Sequence, residues 1–302
     1  MSSKKPIFKE NFRKYFGNLI GDELDSFIKS CETPLLDSIR VNTLKISPER
    51  LKVLLEARGW VLESVPFYND AFIVKKRGES MGNTIEHFMG YYYVQEQSSM
   101  IPPIVLNPKP GDVVLDCCAS PGSKTSQMSQ MMNNRGVILA NDKGISRIMI
   151  LESNLQRCGC RNVIVTNGQG QRLHVLGEVF DKVLVDAPCS GFGAIRKDWS
   201  ITRMFNPKTF GFMKRVQSEL LESSWQVLKP KGEMVYSTCT LTTEENEEVV
   251  NDFLANHSNA RIENISLKGL ENCKGINLDE AVRIWPHRID MEGFFVAKLV
   301  KL

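Results

Sequence analysis

This sequence of 302 residues lacks the patterns that identify a membrane protein, a secreted protein or a protein with a cysteine metal site. No apolar run approaches the roughly 20 residues that a membrane helix needs, and the stretch from Met1 to Asn11 is polar and charged, unlike a signal peptide. The eight cysteines include no CxxC pair, so their spacing predicts no metal site. We therefore expect reduced thiols in an intracellular protein without membrane contact, with the cytoplasm as the expected compartment and the nucleus left open.

Glycine is also scarce in the loop that would bind a nucleotide. The run from Asp116 to Thr125 lies between a short apolar strand and a helix. A phosphate-binding GxxxxGK[ST] loop would need glycine at Cys118 and Ser123, and Gly122 alone does not make a dinucleotide GxGxxG pattern. The remaining interpretation is an adenosyl-type cofactor without a phosphate cradle, because small loop residues let backbone N–H groups approach such a ligand.

Strands and helices alternate from about residue 107 onward. Short apolar strands are predicted at 112–115, 137–140, 163–166, 182–185 and 233–236. This alternation is typical of an α/β fold with a doubly wound, mostly parallel sheet. Before it, a helical stripe over Phe8–Ile20, a strand over 35–44 and a helix started by Ser47 and Pro48 indicate a smaller α/β unit. We predict two domains, residues 1–105 and 106–302.

Polar side chains follow the second and third of these strands. Asp142 comes just after the second strand, where a carboxylate can accept from both ribose hydroxyls of a bound adenosyl group. Gln169 follows the third strand and can donate to and accept from an adenine edge. The alternative for Asp142 is that it only caps the helix that starts near Ile145.

Two cysteines follow the next two strands. Asp186 and Cys189 come after the fourth strand, and Cys239 comes after the fifth, so all three fall at the edge of the sheet that carries the cofactor loop. A thiolate that adds to carbon 6 of cytosine makes carbon 5 nucleophilic enough to take a methyl group, and an acid near ring nitrogen 3 assists the attack. The alternatives are buried, inert cysteines and an aspartate that caps a loop. The residues alone do not choose between the two thiols.

Three ordered motifs resemble those of the Fmu/Sun family of RNA cytosine-5 methyltransferases. They are the run Asp116–Thr125, the run Asp186–Gly191, and Tyr236–Thr240 followed by Glu244–Glu247. Further similar segments are Ile39–Lys45, Gln95–Met100 and Arg283–His287, so the resemblance covers most of the chain. Within this family, the sequence is most similar to the short archaeal and eukaryotic members that modify tRNA.

The resemblance implies a class I S-adenosylmethionine-dependent methyltransferase fold behind a small RNA-recognition-like N-terminal domain. It implies that Cys239 is the nucleophile, that Cys189 assists product release, and that Asp186 and Lys124 belong to the catalytic group. The cofactor contacts carried over by position are Cys118, Ala119, Ser120, Pro121, Gly122, Ser123, Lys124, Asp142, Arg147, Gln169 and Asp186. Gln169 departs from the aspartate usual in the family, which removes a negative charge from the expected cofactor site.

RNA is the expected macromolecular partner. The stretch 191–215 interleaves basic and aromatic residues directly after Cys189, which suits phosphates and unstacked bases, and a cytosine in folded RNA must leave its stack to meet a thiolate. The alternative is that its aromatics pack in the core. We expect tRNA as substrate, with rRNA as the enzymatic alternative. A catalytically silent RNA-binding or assembly factor would be expected to lack Cys239, Cys189 or Asp186, and all three are present.

Overall fold

The computed structural model describes residues 6–302 and begins with a four-stranded antiparallel sheet. The sheet has the order β2-β3-β1-β4. Up to the end of this sheet the elements are, in chain order, α1 (Glu10–Ile20), α2 (Leu24–Cys31), β1 (Ser38–Val41), α3 (Pro48–Glu56), β2 (Val61–Val65), β3 (Tyr68–Lys76), α4 (Ile85–Phe88) and β4 (Tyr92–Val94). Ser47 caps α3 by accepting from the Arg50 N–H, and Pro48 is its first residue, as the sequence predicts.

The second sheet follows a connecting helix, α5 (Gln97–Leu106). Its nine strands and four helices are, in chain order, β5 (Val113–Asp116), α6 (Ser123–Met131), β6 (Val137–Asp142), α7 (Ile145–Cys158), β7 (Val163–Asn167), β8 (Phe180–Asp186), α8 (Phe210–Gln226), β9 (Leu228–Thr238), α9 (Glu247–Asn256), β10 (Ala260–Glu263), β11 (Lys274–Gly275), β12 (Leu278–Ile284) and β13 (Phe294–Lys301). The predicted strands at 112–115, 137–140, 163–166, 182–185 and 233–236 are confirmed to within a few residues.

Five neighbouring strands of this sheet, from the edge strand β7 inward to β9, are parallel. The order is β7-β6-β5-β8-β9, followed by the antiparallel strands β13, β12 and β11, with β10 paired to β13. The chain runs outward in one direction from β5 to β7 and in the other from β8 to β9, so the order reverses between β5 and β8. Ligands of such sheets bind at the carboxyl ends of the strands near this point.

Side chains of the central strands alternate between two apolar layers. Leu115, Val183 and Tyr236 pack on one face with residues of α8 and α9, whereas Val114 and Leu184 pack on the other face with residues of α5 and α6. Both faces of the sheet are covered, as expected for parallel strands that read as continuous apolar runs. The prediction of a mostly parallel α/β sheet is therefore confirmed.

No helix within residues 6–302 is both long enough and apolar enough to cross a bilayer.

Candidate active site

The loop after β5 is held against β6 and α7 by one backbone and one side-chain hydrogen bond. The Ala119 N–H donates to the Asn141 carbonyl at 2.8 Å, and the Ser120 hydroxyl donates to the Arg147 carbonyl at 2.8 Å. Gly122 has φ 99°, and a Cβ there would lie 2.9 Å from Cδ1 of Leu151, so only glycine fits this turn before α6. Ala119, Ser120 and Gly122 therefore keep the loop close to the edge of the sheet.

Asp142 joins this loop to the start of α7. Its buried carboxylate accepts from the Ser120 N–H at 3.2 Å and from the Gly144 N–H at 3.0 Å, and Arg147 lies 3.2 Å from the same group. The N-cap residue of α7 is Gly144 and no side chain caps that helix, so Asp142 binds backbone N–H groups of the two loops without capping α7. The same carboxylate lines a cavity.

A cavity of about 310 Å³ lies at the carboxyl ends of the parallel strands. Of the residues proposed from sequence, those lining it are Cys118, Ser120, Asp142, Arg147, Asp186, Cys189 and Cys239. Gln169 does not line it; the next two residues, Gly170 and Gln171, do. Ala119, Pro121, Gly122, Ser123 and Lys124 are also not lining residues, and they form the loop and helix end behind the wall.

Nine further residues line the cavity but were not predicted from the sequence. They are Cys117, Asn141, Lys143, Gly170, Gln171, Ala187, Pro188, Val216 and Leu220. A signal existed for Gly170, because a glycine after a strand often marks close backbone approach; a Cβ there would meet Leu220 at 2.5 Å and the Cys117 sulfur at 2.8 Å. Val216 and Leu220 come from α8 and carry no local signal, since they look like ordinary helix core.

Cys189 and Cys239 both line this cavity and lie next to each other. Strands β8 and β9 are in parallel register with Asp186 opposite Ser237, so the segments that follow them leave the sheet side by side. The two sulfur atoms lie 3.3 Å apart. Hydrogen bonding to Cys239, together with burial, raises the pKa of the Cys189 thiol well above its ordinary value. The two thiols are thus in hydrogen-bond contact, and the surroundings of Cys189 favour its protonated form.

Asp186 forms an ion pair instead of a loop cap. One of its carboxylate oxygens lies 2.7 Å from the Lys124 ammonium, and the other accepts from the Ser237 hydroxyl at 2.8 Å. Lys124 is almost buried and sits 5.6 Å from the centre of the Phe294 ring. An acid and an ammonium are thus held together beside the two thiols.

The stretch 191–215 divides into a core part and a surface part. Phe192, Phe205 and Phe210 are buried in a cluster with aromatic residues of α1 and α2, so the structural alternative is correct for them. Arg196 is also buried and pairs with Asp290 at 2.6 Å. Phe212 remains 57% exposed, and its ring lies 5.5 Å from the Arg215 guanidinium.

Comparison with known proteins assigns the chain to a family. Residues 103–300 match the model described as 16S rRNA methyltransferase RsmB/F, and residues 8–97 match the N-terminal domain of 16S rRNA methyltransferase RsmF. The chain belongs to the RsmB/F methyltransferase family. The resemblance to RNA methyltransferases of the Fmu/Sun type is therefore confirmed at the level of the family, and the fold is that of class I S-adenosylmethionine-dependent methyltransferases.

Among the relatives of this chain are bacterial proteins named for the methylation of ribosomal RNA. The chain is 44% identical to ribosomal RNA small subunit methyltransferase F of Vibrio atlanticus, over 97% of this chain and 64% of that protein, and 41% identical to the Shewanella loihica protein of the same name, over 92% and 59%. It thus spans about three fifths of these relatives' length. Their names refer to rRNA, so they give no support to the narrower expectation of a tRNA-modifying member.

Solved structures agree with the family. A methyltransferase homolog from Pyrococcus horikoshii is 37% identical with a TM-score of 0.87, over 98% of this chain and 96% of that one. NSun6 from Pyrococcus horikoshii, solved with the S-adenosylmethionine analogue SFG, is 25% identical with a TM-score of 0.89, over 97% and 98% of the two chains.

Proposed function

We propose that this protein is an S-adenosylmethionine-dependent RNA cytosine-5 methyltransferase that acts on small-subunit ribosomal RNA. The observation that carries the proposal is the pair of thiols, Cys189 and Cys239, 3.3 Å apart beside the Lys124–Asp186 ion pair. Ribosomal RNA takes precedence over tRNA because the matched family model and the relatives are named for it. The bacterial relatives favour the cytoplasm as the compartment.

The cavity next to the thiols fits an adenosyl cofactor. Its volume lies at the lower end of the range for small-molecule sites. Asp142 offers a buried carboxylate for paired hydroxyls, and Val216 and Leu220 offer an apolar wall for a base. Gln171 is a better candidate for polar contact with the base than Gln169, because it lines the cavity. When bound, the cofactor supplies an electrophilic methyl group.

The protein side chains divide the remaining chemistry among them. Cys239, as thiolate, adds to carbon 6 of the cytosine, and the electrons pushed into the ring are stabilised by the Lys124 ammonium, which Asp186 holds in place. Once carbon 5 has been methylated, its proton passes to solvent, the electron pair of the broken C–H bond restores the ring double bond, and the sulfur of Cys239 leaves as a thiolate. Cys189 retains its proton at that stage and donates an S–H hydrogen bond to the departing sulfur.

Methyl transfer to two RNA pools tests the proposal. The purified protein is incubated with radiolabelled methyl donor and either unmodified 16S rRNA or unmodified tRNA, and the labelled nucleoside is identified after digestion. We expect label in 5-methylcytidine from rRNA. Label in tRNA alone would support cytosine-5 methylation but show that tRNA, and not rRNA, is the substrate. No label in either pool would contradict the proposal.

Variants of the cysteines test the division of roles. Cys239→Ala should abolish methyl transfer, because no other thiol replaces the nucleophile. Cys189→Ala should slow release, so that a covalent protein–RNA adduct accumulates on a denaturing gel. Cys160→Ala, which removes a partly buried thiol outside the cavity, is the matched control and should remain active. A covalent adduct formed by the Cys239→Ala variant would show that Cys189 is the nucleophile.

A further inference from the structure

Both chain neighbours of Cys189 are held by hydrogen bonds to buried side chains. The Ser190 N–H donates to Oε2 of Glu245 at 2.9 Å, and the Pro188 carbonyl accepts from the side-chain amide of Gln217 at 3.0 Å. The same Gln217 amide donates to Oε2 of Glu245 at 2.9 Å, so the two side chains form one bridge across the loop. Both side chains are inaccessible to solvent. The backbone is therefore fixed on either side of this thiol.

Glu245 is itself fixed by β9 and by the loop that follows it. Its backbone carbonyl accepts from the Tyr236 hydroxyl at 2.6 Å, and its second carboxylate oxygen accepts from the Thr242 hydroxyl at 3.0 Å. The hydroxyls of Ser190 and Thr240 lie 2.7 Å apart and join the two loops directly. The loop that carries one thiol is therefore held against the loop that carries the other.

The partners of Glu245 are all neutral. Its carboxylate accepts from one backbone N–H, one amide and one hydroxyl, and no lysine, arginine or histidine among residues 6–302 forms an ion pair with it. Burying a carboxyl group away from any cation costs free energy that neutral donors offset only in part. Such a departure from the most stable choice of residue is expected at functional sites. Positioning of the loop therefore explains this group better than stability does.

We propose that Glu245 is a positioning residue that, together with Gln217, holds the Cys189 sulfur in contact with that of Cys239. The two sulfur atoms lie 3.3 Å apart. The contact is needed at product release, when Cys189 donates its S–H to the departing sulfur. The inference rests on the proposed function for these roles of the two thiols, whereas the bridge itself is a matter of geometry.

A trivalent arsenical tests the inference without RNA or methyl donor. Phenylarsine oxide bonds both sulfur atoms of a close pair, and the two thiol protons leave with its oxygen as water. Binding is measured as protection from N-ethylmaleimide of the tryptic peptides 183–196 and 232–261, whose only cysteines are Cys189 and Cys239. Glu245→Met should raise the arsenical concentration for half protection by about tenfold or more, because a displaced thiol has a lower effective concentration at its partner.

Three further variants separate the bridge from general packing. Glu245→Gln should restore the half-protection concentration, because its amide oxygen still accepts from the Ser190 N–H. Gln217→Met removes the other half of the bridge and provides the same test if Glu245→Met does not fold. Gln127→Met is the matched control: it removes an equally buried polar side chain, which bonds Gln95 and Met100, and it should leave the half-protection concentration unchanged.

The same variants have a second expected effect when RNA and methyl donor are present. Glu245→Met should accumulate the covalent protein–RNA adduct expected of Cys189→Ala, and Glu245→Gln should not. Unchanged arsenical binding in a folded methionine variant at position 245 or 217, or a failure of Glu245→Gln to restore it, would overturn the inference. The methyl-transfer assay on the unaltered protein decides the proposed function separately, because arsenical binding needs neither RNA nor cofactor.

Discussion

Glycine at position 193 is required by its neighbours and not by its own backbone. Its φ is −76°, which any residue adopts, yet a side chain there would collide with the Gly293 backbone. The missing side chains let the loop after Cys189 and the segment before β13 touch. Residue identity at this point is set by tertiary contact alone.

Gly193→Ala should therefore destabilise the protein. We expect a loss of about 1–3 kcal/mol of unfolding free energy, typical of overpacking, and reduced methyl transfer because the Cys239 carbonyl loses its partner. Urea denaturation followed by circular dichroism measures it. Gly211→Ala is the control: it lies in α8 with no atom within 4 Å of the added Cβ, and it should leave stability unchanged or raise it by up to about 1 kcal/mol. Equal effects at both positions would contradict the argument.

Asp116 is a buried acid at the end of β5. One carboxylate oxygen accepts from the Thr125 hydroxyl at 2.7 Å, and the other has no hydrogen-bond partner among the described residues. Burial raises its pKa to about 7, against the lowering effect of the Thr125 hydrogen bond. The folded state therefore holds a proton on this group in a pH range where the unfolded state has lost it.

This shift gives stability a predictable dependence on pH. Between about pH 4 and 7 the folded state binds more protons at Asp116 than the unfolded state, so its contribution makes stability fall as pH rises and level off above pH 7. Asp116→Asn should remove that slope and be more stable than the unaltered protein at pH 8, as measured by thermal melting at several pH values. If the melting temperatures of the two proteins changed with pH in the same way across this range, the contribution of Asp116 would be ruled out.

Helix α9 is joined to β12 by a buried ion pair. The Arg283 guanidinium donates from Nε to Glu247 at 2.6 Å and from Nη1 to the Leu241 carbonyl at 2.9 Å, and both charged residues are almost inaccessible. Glu247 is the first residue of α9, where a negative charge also suits the helix dipole. The pair thereby fixes the segment after Cys239 against the antiparallel side of the sheet.

Removing the arginine should leave Glu247 buried without its partner. Arg283→Met is expected to cost about 3–5 kcal/mol of unfolding free energy, the range for breaking a buried pair. The exposed Lys274–Asp279 pair provides the comparison, because Lys274→Met should change stability by less than about 0.5 kcal/mol. Chemical denaturation of both variants tests the difference. A small loss for Arg283→Met would show that water reaches Glu247.

The two sheets of the molecule are connected by polar contacts between their elements. Asn42, after β1, donates to the Cys158 carbonyl at the end of α7 at 2.7 Å and to the Gly90 carbonyl at 2.8 Å. Arg40 donates to the Ser126 hydroxyl on α6 at 2.8 Å. These contacts are buried, so separating the sheets would expose unpaired polar groups. The predicted division at residues 105 and 106 falls in α5 and stays a prediction.

We expect the two sheets to unfold together. Native-state hydrogen exchange should give similar opening free energies for amides of β1 and of β6, because separation leaves buried donors unpaired. Asn42→Ala should lower protection in both sheets, whereas Ser47→Ala, which removes the cap of α3, should act mainly within the first. Independent loss of the first sheet in the unaltered protein would contradict this expectation.

The sequence by itself determined the parallel sheet and the strand-end placement of Asp142, Asp186, Cys189 and Cys239. Apolar runs and turn residues are local signals, and the carboxyl ends of parallel strands share one edge, so these residues were expected together. The motifs also indicated the family that the comparisons confirmed. The choice of Cys239 over Cys189 came from the resemblance, and the structure adds that the two thiols are in hydrogen-bond contact.

Only the tertiary structure decided what surrounds these residues. Glu292 reaches Lys197 across 95 positions of the chain, and Leu220 reaches Gly170 across 50. The aromatics of the stretch 191–215 look alike in sequence, yet Phe192 is buried and Phe212 is exposed. Local periodicity reports which side of an element is apolar, but not which distant element covers it. Contacts, burial and shifted pKa values therefore depend on packing that no single segment encodes.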